Sequence, residues 1–158
     1  MGVRRIRGSF LLPHEKALEA GHMKFTRMNY RAQWYNLIER YEISLRNDPS
    51  LRWSGFNKYQ AEYQALGIYK LQCFAERIAK DRMAPWGNLT TEQALNLYLI
   101  NKHHWTRNEV ADLQEDDYLF LLRDDLAQMK LDTEEAEPIR STFETDRNAL
   151  QEVSVHWN

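Results

Sequence analysis

Residues 26–47 read TRMNYRAQWYNLIERYEISLRN. Trp34, Leu37, Ile38, Tyr41 and Leu45 fall at i, i+3, i+4, i+7 and i+11, one face of a helix at its own period. Arg31, Glu39, Arg40 and Glu42 mostly face elsewhere. Asn47-Asp48-Pro49 stops the helix, because proline drives the residue before it out of the helical region. Asp48 can cap a short turn with Pro49 at its first position. Ser54 then reads as the cap of a second long helix, residues 55–82, with Phe56, Tyr59, Tyr63, Leu66, Phe74 and Ile78 as its apolar stripe. Gly67 interrupts that stripe, as a kink or as room for a close helix crossing. Two long helices joined by about six residues pack antiparallel as an αα-hairpin. The expected contact runs through Trp34, Ile38, Tyr41, Tyr59, Tyr63 and Leu66.

Outside this pair the chain is equally helical in grammar. In the opening stretch, Arg4 to Arg7 reads as a basic arm and Pro13 to Ala20 as a short helix ending at Gly21. Ala84-Pro85-Trp86-Gly87-Asn88 is the clearest break. Beyond it, Thr90 with Gln93 and Thr106 with Glu109 fit capping boxes, the second with a hydrophobic staple between Trp105 and Val110. A helix over 115–130 carries Leu119, Leu122, Leu126 and Met129 on one face. Ser141 with Glu144 caps a last helix over 142–152, and the acidic stretch 132–138 before it is a turn of helix or a loop. With only 6 Gly and 4 Pro, an all-β fold is disfavoured. The expectation is an all-α, single-domain helical bundle over residues 1–158. It is built on a long antiparallel αα-hairpin (1–84, basic) plus a smaller acidic helical subdomain (88–158). A chain of 158 residues buries enough surface to need no metal or disulfide staple.

The charge is split at the same break. Residues 1–82 hold 15 Lys and Arg against 8 Asp and Glu, a charge of +7; residues 83–158 hold 6 against 15, a charge of −9. Such asymmetry points to a polyanionic partner or to an electrostatic mate for one half. Eleven aromatics interleave with eleven Lys and Arg between Lys24 and Arg82, the composition of a single-strand binder. Most of these aromatics sit at core spacing. Tyr30, Tyr35, Trp53 and Tyr69 lie off the stripes and, exposed together, would form a patch; with Arg4, Arg5 and Arg7 they are the candidate contacts to a nucleic acid or a protein partner. Any nucleic-acid affinity of this kind is expected to be weak, nonspecific and lost on charge reversal of the three arginines.

Other chemistries have less behind them. Residues 105–113 look like the first helix of a helix-turn-helix, but the helix that should enter the groove opens Gln114-Glu115-Asp116-Asp117 and meets phosphate with the wrong sign. Adjacent His103 and His104 point about 100° apart on a helix, so they read as a C-terminal cap and not as metal ligands. Glu115, Asp116, Asp117, Asp124 and Asp125 would make a magnesium site only if a second group of carboxylates converged on them. Cys73 is the single cysteine, which excludes an intramolecular disulfide and a multi-cysteine zinc site, and it reads as a small buried hydrophobe. No nucleophile or phosphate-binding glycine motif is present, and no catalytic residue, metal or cofactor is expected. Phe10 to Leu12 is too short for a signal peptide, Ile6 argues against myristoylation at Gly2, and no run approaches a membrane span, so the chain reads as cytoplasmic.

Leu89-Thr90-Thr91-Glu92-Gln93-Ala94-Leu95, Lys102-His103-His104-Trp105 and Asp117-Tyr118-Leu119-Phe120-Leu121-Leu122 together resemble small uncharacterised proteins carried on bacterial mobile elements and prophages. The resemblance covers about residues 86–130. It implies a bacterial setting and an accessory role, and brings no activity with it. The leading expectation is therefore a non-enzymatic helical protein–protein interaction or assembly module that captures a partner or itself. A nucleic-acid-binding accessory protein acting through the basic half comes second and a carboxylate-metal hydrolase third.

Overall fold

A computed structural model describes residues 25–55 and 57–158. The stripe around Trp34 folds as α1, Tyr30–Asn47, with Trp34, Leu37 and Ile38 buried. It begins four residues later than the periodicity suggests, because Asn29 caps it: its side chain accepts from the Ala32 N–H at 3.0 Å. The Asp48 side chain caps a 3₁₀ turn, Pro49–Leu51.

The second long helix is α2, Gln60–Asp81. Ser54 does not cap it. Gly55 takes φ +83°, a left-handed conformation outside any helix, and the Asn57 side chain accepts from the Tyr59 N–H at 3.0 Å, so residues 52–55 and 57–59 belong to a connection. The shorter helix is buried on more than one side. Ala61, Ala65, Leu66, Ile68, Tyr69, Leu71, Cys73, Ala75 and Ala79 are all in the core, as expected of a helix with partners around most of its circumference.

After Asp81 come α3 (Thr91–His103), α4 (Arg107–Val110), α5 (Glu115–Leu121), α6 (Arg123–Gln128), α7 (Thr133–Phe143), α8 (Arg147–Val153) and a 3₁₀ turn, Ser154–His156. The Thr90/Gln93 capping box forms with both bonds in place, and His104 closes α3 in the left-handed region at φ 56°. Glu109 accepts from the Thr106 N–H at 2.5 Å, yet the helix it opens is a single turn. The helix expected over 115–130 is two helices. Leu122, fully buried, leaves helical geometry at φ −103°, ψ 13°, and α6 is then held to α3 by Asp125, which accepts from Tyr98 Oη at 2.7 Å and Lys102 Nζ at 2.8 Å. The acidic stretch 132–138 is the start of α7, because Asp132 and Glu135 form a capping box; Pro138 sits inside that helix. Ser141 therefore lies within α7, and Asp146 caps the last helix by accepting from the Ala149 N–H at 3.1 Å.

α2 is the element around which the others gather. Tyr30 and Trp34 of α1 reach Glu76 and Tyr69 of α2, the Trp34 and Tyr69 rings meeting edge to face at 5.4 Å. Phe74 meets Tyr98 of α3 at 4.9 Å. Tyr59 and Tyr63 pack on Phe143 of α7, and their hydroxyls donate to Asp146 at 3.0 Å and Glu152 at 2.8 Å. The resulting core is one cluster drawn from both halves of the chain, from Trp34 and Leu71 to Ile139 and Val153. No strand forms among the described residues, where Ala84 and Gly87 make one isolated bridge, and no described helix is long and apolar enough to cross a membrane.

Gly67 marks neither a kink nor a forced close approach. α2 runs through it, and a Cβ placed there meets Leu119 Cδ2 at 3.6 Å, an ordinary contact. Gly67→Ala is therefore expected to stabilise the protein by about 0.5–1 kcal/mol by reducing backbone freedom in the unfolded chain. A higher urea midpoint with an unchanged m-value checks it.

Candidate functional site

The aromatics singled out from the sequence do not form one patch. Tyr69 is wholly buried: its hydroxyl donates to the Glu135 carbonyl at 2.5 Å, and burial above all pushes its pKa up. Its position off the stripe leaves it buried all the same, because α2 is covered on several sides. Tyr30 is half-buried and donates to the Glu76 carboxylate. Tyr35 is exposed on α1 beneath the Arg31 guanidinium. Trp53 is exposed in the connection that follows α1, whereas Tyr30 opens that helix, which is about 27 Å long over its 18 residues. Arg4, Arg5 and Arg7 lie outside the described residues.

The charge split is answered inside the molecule. Four of the five ion pairs among the described residues join a cation before residue 83 to a carboxylate after it: Arg27–Glu134 at 2.5 Å, Arg31–Glu137 at 3.7 Å, Arg40–Glu115 at 3.1 Å, and Arg77–Glu135. The first three are solvent-exposed, so they add little stability. Their effect is to cancel the field of the basic half at close range. In Arg77–Glu135 the carboxylate is 2% exposed, and its Oε1 also accepts from the Asp132 N–H at 2.9 Å. Three of the five carboxylates of the acidic cluster are engaged, while Asp116 and Asp124 are exposed. Glu115 is held by Arg40, Asp117 accepts from the Gln114 N–H at 2.8 Å and Asp125 is taken by Tyr98 and Lys102. No group of three His, Cys, Asp or Glu among the described residues could hold a metal ion. Cys73 is buried, and burial pushes its thiol up, away from the reactive thiolate.

Two large apolar side chains stand in solvent. Trp86 is 87% exposed and Phe120 is 77% exposed. Trp86 stands on a tight turn whose Gly87 N–H donates to the Ala84 carbonyl at 3.1 Å, with Met83 exposed beside it. Two grooves flank this turn. One, of about 390 Å³, runs between Met28 and Leu89; the other, of about 400 Å³, runs between Ile78 and Tyr98. Neither Trp86 nor Phe120 was singled out from the sequence. For Trp86 the signal was there: a turn of Pro and Gly lies on the surface, so a tryptophan inside it has nowhere to bury its ring. Phe120 gives no such signal, since it sits in an apolar run.

One buried group has no carboxylate partner among the described residues. Lys70 on α2 is 3% exposed, and its Nζ lies 3.1 Å from His156 Nδ1. An ammonium only donates, so Nδ1 accepts and the imidazole proton is assigned to Nε2. Burial first, then Lys130 and Arg77, brings Lys70 down to about 8; burial first, then Lys70 and Lys130, brings His156 down to about 4. A base whose pKa is lowered by folding costs stability wherever it is charged in the folded state. Stability should therefore rise as pH climbs from about 4 to 6.5 through His156, and again from about 8 to 10.5 through Lys70. At pH 7 the cost of Lys70 is fully present. Lys70→Met keeps the apolar stem and is expected to stabilise by roughly 1–3 kcal/mol at pH 7 while flattening the alkaline rise. Urea unfolding across pH reads both.

No family model, no curated protein and no solved structure matches this chain.

Proposed function

We propose that this chain is a non-enzymatic helical interaction module of the cytoplasm. In this reading α1 and α2 form an antiparallel αα-hairpin, the acidic helices seat on it as a smaller subdomain, and the partner is a protein, a second copy being the first candidate. The observation that carries the proposal is Trp86, 87% exposed on a tight turn. Burying an indole's ~150–250 Å² is worth about 4–6 kcal/mol gross. Tryptophan is also the residue most enriched at the energetic centres of protein interfaces. Internal cancellation of charge supports the same ranking. Arg27, Arg31, Arg40 and Arg77 already hold carboxylates, which takes them from a polyanion, and Glu115, Asp117 and Asp125 of the acidic cluster are engaged as well. Partner binding through Trp86 is expected to survive high salt, unlike binding through counterion release.

The test is photo-crosslinking from a benzoylphenylalanine placed at position 86, with position 148, an exposed asparagine on α8, as control. A discrete adduct at 86 and none at 148 is expected, its mass telling a second copy from another protein. Trp86→Ser should abolish the association and leave the melting temperature unchanged. Equal or absent adducts at the two positions would remove the basis for the proposal.

A further inference from the structure

At the other end of α2, about 33 Å away along its 22 residues, lies a second feature that the Trp86 surface does not use. A cleft of about 500 Å³ is lined by Glu42 and Arg46 of α1, Arg52, Trp53 and Lys58 of the connection and Glu62 of α2. That volume is in the range of small-ligand sites. The connection is braced from beneath. Gln60, 6% exposed, accepts from the Trp53 N–H and donates to the Leu51 carbonyl, both at 3.0 Å. Trp53, 45% exposed, is thus tied to α2 through its own backbone N–H.

The charges are distributed unusually. Of the ten Lys and Arg from residue 25 to residue 82, Arg27, Arg31, Arg40 and Arg77 hold carboxylates and Lys70 is buried. Three of the five that remain, Arg46, Arg52 and Lys58, line this one cleft, and no carboxylate among the described residues lies within salt-bridge distance of them. Glu42 and Glu62 share the same cleft, with no cation among the described residues within salt-bridge distance. Burial, reinforced by Glu42, pushes the Glu62 carboxyl above its usual value. An aromatic plate, a set of unpaired cations and a pair of unpaired acceptors ask for a ligand with a flat ring, an anionic group and N–H donors.

We propose that this cleft binds a nucleotide whose base carries an amino group, the base lying on Trp53, the phosphate among Arg46, Arg52 and Lys58, and the amino group donating to Glu42 or Glu62. Base–aromatic stacking and cationic grooves act together in this way wherever single strands are bound, and a carboxylate reads the amino group of cytosine. The ligand is a free mononucleotide or the end of a single strand, which share this chemistry.

The experiment is titration of the whole protein with AMP, CMP, UMP, inorganic phosphate and short oligo(dA) and oligo(dC), followed by calorimetry and indole fluorescence. AMP or CMP is expected to saturate a single site, with UMP and phosphate weaker. Trp53→Ala and Arg52→Ala should each weaken binding about tenfold or more. Both residues are exposed, so the melting temperature should hold, and Arg27→Ala should change nothing. Binding of the oligonucleotides alone, with the same loss in Trp53→Ala, supports the site and identifies a strand as the source. No saturation by millimolar nucleotide, affinity for phosphate equal to that for AMP, UMP bound as well as AMP or CMP, or indifference to Trp53→Ala overturns the proposal. None of these outcomes bears on crosslinking at position 86.

Discussion

Arg77→Met is expected to destabilise the protein by about 3–5 kcal/mol, although the arginine side chain is 41% exposed. The asymmetry of the pair is the reason. The Glu135 side chain is 2% exposed. Its carboxylate Oε1 is held by the Arg77 guanidinium and the Asp132 N–H, and only the first carries charge. Arg77 also donates to the Lys130 carbonyl at 2.7 Å, so it ties α2 to the segment leading into α7. Remove it and a carboxylate remains in the core with one neutral donor. Remove Glu135 instead and a half-exposed guanidinium can turn to water, so Glu135→Gln should cost less; glutamine also keeps an acceptor for Asp132. The double variant Arg77→Met/Glu135→Gln should recover roughly 1–3 kcal/mol of the loss, because no buried charge is left unpaired. Urea unfolding of the four proteins closes the cycle. A loss below about 1 kcal/mol in Arg77→Met would show that water or another cation reaches Glu135.

Trp34→Ala should cost a similar amount, about 3–5 kcal/mol, by a different route. The Trp34 side chain is fully buried, its ring meets Tyr69 edge to face, and its Nε1–H donates to Thr142 Oγ1 at 2.8 Å. Thr142 in turn donates to the Pro138 carbonyl at 2.9 Å, so one indole joins α1, α2 and α7. Alanine leaves a cavity at that junction. Trp34→Phe keeps most of the packing and loses the hydrogen bond, for an expected cost of roughly 1–2 kcal/mol. Thermal unfolding of the two variants separates packing from hydrogen bonding; equal losses would place the weight on the indole N–H.

The helical nature of the chain was legible because period and caps are local. Trp34, Leu37 and Ile38 show it at 3.6 residues per turn, and Thr90/Gln93 is a short-range signature that formed as read. The departures have two causes. A partner remote in sequence covers Tyr69, through Glu135, and holds Asp125 of the divided 115–130 stretch, through Tyr98 and Lys102. Ser141 is no cap because the local Asp132/Glu135 box opens α7 nine residues before it. Of the candidate contacts, Trp53 keeps its exposure and gains a cleft that no spacing rule announces, because Glu42, Arg46 and Glu62 come to it from two helices. Trp86 was written into a turn motif and passed over as punctuation.

The order in which the chain is made gives the internal ion pairs a temporal side. Arg27 is synthesised 107 residues before Glu134, and Arg40 is synthesised 75 residues before Glu115. At about 5–20 residues per second, Arg27 waits roughly 5–20 s for its carboxylate. Within that interval the net charge of the emerging chain rises to +7 at residue 82 and falls to +1 at residue 134, beside a ribosome built largely of RNA, with Trp34 and Tyr69 not yet packed against Thr142 and Glu135. The finished protein carries −2. Translation speed across the second half thus sets how long a cationic, aromatic nascent chain persists before its own acidic helices neutralise it.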